Sequence, residues 1–166
     1  MAQLGPEDGS LIVKTYREGV AAKAGHDLVI EVTSWQANLE GDRVQFTADP
    51  RSLRVREGVR GVKPLTDRDR DEIRANIDDH VLHGKPISFE GTASDKGGML
   101  VLDGDLTMAG TKRPMLVNVG TTGGRATATV SLRQSEWGIK PYRGLMGALK
   151  VRDEVEVVLD VRLPPA

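Results

Sequence analysis

"GMLVLDGDLTMAGTKRPMLVNVG", residues 98–120, is the stretch on which the fold turns. Leu100, Leu102, Leu106 and Met108 are set against Asp103, Asp105 and Thr107. Past "AGTKRP" the same step returns as Met115, Val117 and Val119. A period of two marks a strand with one dry face and one wet face. The break between the two halves reads as a hairpin connection. The first strand would reach about 35 Å at ~3.3 Å per residue.

The pattern recurs outward in both directions. Leu11 and Val13 share a side in "SLIVKTY" (10–16), and Leu28, Ile30 and Val32 share one in "DLVIEVTSW" (27–35). Val44, Phe46 and Ala48 alternate with Arg43, Gln45 and Thr47, and Leu53 and Val55 with Arg54 and Arg56. Toward the C-terminus, "PISFEGTAS" (86–94) is a strand with a Gly bend. Ala126, Ala128, Val130 and Leu132 then alternate with Thr127, Thr129 and Ser131, and Val155, Val157, Leu159, Val161 and Leu163 close the series. The result is roughly eight strands joined by short Gly, Asp or Pro turns, the spacing of a β-sandwich or barrel.

One segment breaks the period. "TDRDRDEIRANIDDHVL" (66–82) places Ile73, Ile77 and Val81 four apart. Thr66 with Asp69 fits a capping box, so an amphipathic helix is expected to lie on something apolar. A short helical turn is expected in 17–25, and a long loop with some helix in 135–152. All 166 residues are expected to form one domain, with 1–9 a flexible N-terminal tail.

Composition narrows the function. The net charge is −1, so no overall field draws nucleic acid or an acidic membrane. With no Cys, thiolate catalysis and Cys-based metal sites are excluded. The opening "MAQLGPEDGS" has neither a basic nor an apolar leader region, and no apolar run approaches a membrane span. A cytoplasmic location is expected. Aromatics are only 4%, so a β-rich interior must be filled by Val, Leu, Ala and Met. Eight strands closed into a barrel enclose room for one ligand when the inward side chains are small. An elongated apolar ligand would suit such a tube. Two sheets packed solid on each other, a ligand-free structural or interaction protein, satisfy the alternation equally well.

Several pieces together resemble the YceI-like family. "GHDLVIEVTSWQANLE" is similar to its early strand, and "VLHGKPISFEGTAS" to its helix-to-strand passage. "LDGDLTMAGTKRPMLVNV" resembles its G-D-L-T-h-x-G-x-T-[KR]-P-h-x-h-x-V hairpin, the most specific match, and "GLMGALKVRDEVEVVLDV" its closing strand. The resemblance spans roughly residues 10–163. It implies an all-β fold, an antiparallel eight-stranded lipocalin-like barrel with one amphipathic helix packed against it. It also implies binding, sequestration or transport of a long-chain isoprenoid of quinone or polyprenyl phosphate type, without enzymatic activity or cofactor.

On this reading the pore side chains are Leu28, Ile30, Val32, Val44, Phe46, Leu100, Leu102, Leu106, Met108, Met115, Val117, Ala128 and Val130. Trp137 and Met146 join them from a loop that plugs or covers the end. His26, Arg60 and Lys63 are head-group contacts. No metal ligand is assigned. The rival reading is a small hydrolase or metal-dependent enzyme using His26 with Asp27, or His80 with His83. Thr33 and Ser34 are the nearest hydroxyls to the first pair, but nothing there resembles a nucleophile elbow. The partner is an isoprenoid lipid, with no nucleic acid and no membrane span. A homodimer through the edge near 10–16 is expected to be possible.

Overall fold

The computed structural model describes residues 2–18, 26–59, 65–144 and 149–164. Before the helix, β1 is Ala2–Leu4, β2 Gly9–Thr15, β3 Arg17–Glu18, β4 Asp27–Val32, β5 Trp35–Glu40, β6 Arg43–Ala48 and β7 Leu53–Val59. After it come β8 Ile87–Asp95, β9 Met99–Met108, β10 Thr111–Gly120, β11 Arg125–Arg133, β12 Arg143–Gly144, β13 Leu149–Val151 and β14 Glu154–Arg162. Eleven of these form one curled antiparallel sheet in the order β1-β5-β6-β8-β9-β10-β11-β14-β2-β4-β7. The short β12, β13 and β3 form a second sheet.

The expected number of eight is thus corrected to eleven, for a physical reason. β4 and β5 are one run of chain bent at Thr33–Ser34, and β6 and β7 are another bent at 49–52. The two runs stay paired on both sides of the bend, as β4 with β7 and β5 with β6. At the corner the Thr33 N–H donates to the Ser52 carbonyl (2.9 Å) and the Asp49 N–H to the Ser34 carbonyl (3.0 Å). The third additional strand is β1. Residues 1–9 were expected to be a tail, yet Ala2, Gln3 and Leu4 pair with Leu39, Asn38 and Ala37. A one-turn 3-10 helix, Pro6–Asp8, then leads into β2.

The hairpin of the opening stretch forms as its sequence predicts. β9 and β10 pair over their full length from Met108↔Thr111 to Met99↔Gly120. Ala109 and Gly110 make the turn with φ of 52° and 80°. Two consecutive positive φ values give a turn whose twist matches that of the strands. Between β8 and β9, Gly91 faces Gly104. A Cβ on Gly104 would lie 2.2 Å from the Glu90 carbonyl oxygen, so the two backbones meet where no side chain fits.

The helix α1, Asp67–Asn76, starts where its capping box lies. The Thr66 Oγ1 accepts from the Asp69 N–H (3.1 Å), and the Asp69 carboxylate accepts from the Thr66 N–H (3.0 Å). It continues as a wide π turn, Ile77–Leu82. Leu65, Ile73, Ile77 and Val81 pack against the core, which contains Leu82. The expected helical turn at 17–25 is instead strand β3 at its start, and its remainder lies outside the described residues. The 135–152 segment holds a 3-10 turn, Gln134–Trp137, followed by β12 and β13.

Candidate functional site

The inner face of the sheet encloses a cavity of about 780 Å³. That lies within the roughly 300–1,000 Å³ typical of small-molecule sites. Its wall follows from the period of two. Leu28, Ile30 and Val32 line it from β4, and Val44 and Phe46 from β6. Leu102, Leu106 and Met108 line it from β9, Met115 and Val117 from β10, and Ala128 and Val130 from β11. Leu102 therefore faces the space that the alternation assigns it.

Three expected pore residues stand elsewhere. Leu100 packs with the core near the Ala126↔Val161 pair, where Val161 is 0% exposed, so β9 leaves the cavity wall at Leu102. Trp137 is buried to 3% exposure in a second cluster behind Leu106 and does not line the cavity. A buried indole N–H needs an acceptor, and its Nε1 donates to the Leu106 carbonyl at 2.9 Å. Met146 lies outside the described residues, as do the expected head-group contacts Arg60 and Lys63.

Other wall residues escaped the sequence reading. The apolar stripe of the helix (Ile73, Ile77, Val81) forms part of the wall rather than merely covering a filled sheet. Its four-residue spacing was visible, but spacing alone does not tell a packed face from a cavity face. Ile139, Val155, Val157 and Leu159 also line the space.

The polar side chains of the wall gather at one end. Thr15 at the end of β2, Arg17 in β3 and His26 before β4 reach it from one side. Asp69, Glu72, Asn76 and His80 come from the helix, and Gln134, Lys140 and Tyr142 from the segment after β11. That segment is tied to β2: the Gln134 Nε2 donates to the Arg152 carbonyl (3.1 Å), and the Arg152 N–H donates to the Tyr16 carbonyl (2.7 Å). The cavity is thus an apolar tube with a polar mouth. Hydrogen bonding from the Thr66 backbone N–H, then from its hydroxyl, lowers the Asp69 carboxyl below its ordinary value; slight burial opposes this, and His26 and Arg68 assist it.

The two enzymatic pairings do not assemble into a common site. His26 lines the cavity, whereas Asp27 does not and is buried at 6% exposure. The Asp27 Oδ1 accepts the Arg17 backbone N–H at 2.8 Å and stands 4.0 Å from the Arg17 Nε. The Thr33 hydroxyl is committed to the Ser52 carbonyl at 2.7 Å. His80 lines the mouth, while the exposed His83 ends the π turn in a left-handed conformation (φ 55°) and does not. Among the described residues no three His, Asp or Glu side chains group closely enough to hold a metal ion. Nor does any described helix have the length and apolarity to cross a membrane.

Comparison with known proteins agrees with this architecture. The model of the YceI-like domain matches residues 13–163. No curated protein matches in sequence. The crystal structure of Burkholderia cenocepacia BcnA is similar, with a TM-score of 0.61 at 15% identity, covering 91% of this chain and 94% of that one. A mutant CJ YCEI protein with a monobromobimane guest gives a TM-score of 0.51 at 10% identity, covering 80% and 82%. Identities this low speak to the fold alone.

Proposed function

This chain belongs to the YceI-like family, a polyisoprenoid-binding fold, and from that premise we propose that it binds and sequesters or carries a long-chain isoprenoid lipid. The observation that carries the reading is the apolar cavity of about 780 Å³, walled by alternate side chains of the sheet and by the helix stripe. The path of the bent β4–β5 run, which pairs with β2 at one end and β6 at the other, supports closure into a lipocalin-like barrel. The mechanism is burial without covalent chemistry. The chain leaves water for the tube, and its head stays at the polar mouth.

Magnitudes favour a long chain. Each buried methylene contributes about 0.8 kcal/mol, while association costs roughly 4–15 kcal/mol in lost freedom. A few carbons would not offset that cost; a chain of about twenty would give some 16 kcal/mol. The test is solvent extraction and mass spectrometry of protein purified without denaturation. A prenyl lipid at near-equimolar amount is the expected result. Protein that is empty from every preparation, and stays empty when offered polyprenyl chains, would refute the reading.

A further inference from the structure

The mouth also bears on the chemistry of the head group, and this inference rests on the carrier reading above. Most charges there are already engaged. Asp69 accepts from Thr66, Glu72 stands 3.3 Å from Arg68, and Arg17 stands beside Asp27. Lys140 lines the cavity and forms no ion pair with any described residue. The Thr15 Oγ1 is buried and has no hydrogen-bond partner. These two groups come from segments tied together through Gln134, Arg152 and Tyr16. One is a cation without an anion, the other a hydroxyl without a partner, and both stand where an apolar tube becomes polar.

We propose that the cavity selects an isoprenoid with an anionic oxygen-rich head, a phosphate monoester, whose oxygens accept from the Lys140 ammonium and the Thr15 hydroxyl. A quinone carbonyl can accept a hydrogen bond but leaves the lysine charge uncompensated beside a low-dielectric space. A phosphate supplies several acceptors and the charge, and charge-assisted bonds are the stronger ones. The tail then points away from the helix, toward Leu102 and Val117.

The experiment compares geranylgeraniol with geranylgeranyl monophosphate by direct titration of the delipidated full chain at two salt concentrations. The expected preference for the phosphate is about tenfold, shrinking with salt. Lys140→Gln should erase the preference while leaving the alcohol unchanged, and Lys140→Arg should keep it. Lys140 is exposed, so these variants leave the packed core intact. Thr15→Val should weaken the phosphate alone. Equal affinity for alcohol and phosphate, or a preference that survives Lys140→Gln, would overturn the anionic-head proposal and leave the carrier reading standing. Failure of both ligands to bind would overturn the carrier reading and the proposal with it.

Discussion

Along the wall of the cavity, β9 and β10 run for ten residues each and β11 and β14 for nine. At its mouth, β3 and β12 have two residues, β13 three, and the intervening 3-10 turn four. The wall is held by continuous backbone ladders, so its stability is spread over many equivalent bonds. The mouth hangs on individual contacts: Asp27 on the Arg17 N–H, Gln134 on the Arg152 carbonyl, Trp137 on the Leu106 carbonyl. Regions held this way open locally at lower cost than ladder-built ones. A binding protein needs both, a rigid tube to exclude water and an end that lets a long chain pass.

The sharpest attack on the wall is Gly104→Val. Its Cβ would meet the Glu90 carbonyl at 2.2 Å and the Gly91 Cα at 2.7 Å. Urea denaturation should show a loss of about 3 kcal/mol. An unchanged midpoint would mean that β8 and β9 can spread there. At the mouth, Trp137→Phe keeps the ring but leaves the buried Leu106 carbonyl unpaired, and about 1–2 kcal/mol should go. Retained stability would place the weight of that cluster on packing alone.

The smallest effects belong to the helix that covers the cavity. Thr66→Ala removes the cap and should cost about 1 kcal/mol in thermal unfolding. Because the folded state lowers the Asp69 carboxyl below its ordinary value, its contribution is present above that value and fades as pH falls through the lowered one. Wild type should therefore exceed Asp69→Asn in melting temperature at neutral pH, with the gap closing on acidification. A gap that widens in acid would reverse the assignment.

Legibility in sequence follows the same division. The wall could be read because burial on one face imposes a period of two, and every second residue from Leu28 to Val32 obeys it. The helix start was legible because Thr66 and Asp69 are a local signal. The bends at Thr33–Ser34 and 49–52 were not, since a corner that keeps its pairing leaves the alternation intact on either side. Strand β1 is three residues paired through backbone, with no side-chain pattern to betray it. The mouth is hardest: Thr15, His26, Glu72 and Lys140 are far apart in sequence and meet only through tertiary folding. Trp137 misled because its apolar ring suggested a pore contact, while its N–H required a backbone acceptor.

The central claim is that the tube itself holds the lipid chain, and Leu102 offers the most direct test. It lines the cavity midway along β9, between the closed end and the mouth. Leu102→Trp should fill the passage without adding a polar group. Calorimetric titration of delipidated wild type and variant with the same polyprenyl ligand is the decisive measurement. The account predicts one chain per wild-type molecule with a negative heat-capacity change, and no detectable uptake by a folded Leu102→Trp protein. Equal uptake by both would place the lipid outside the tube and contradict it.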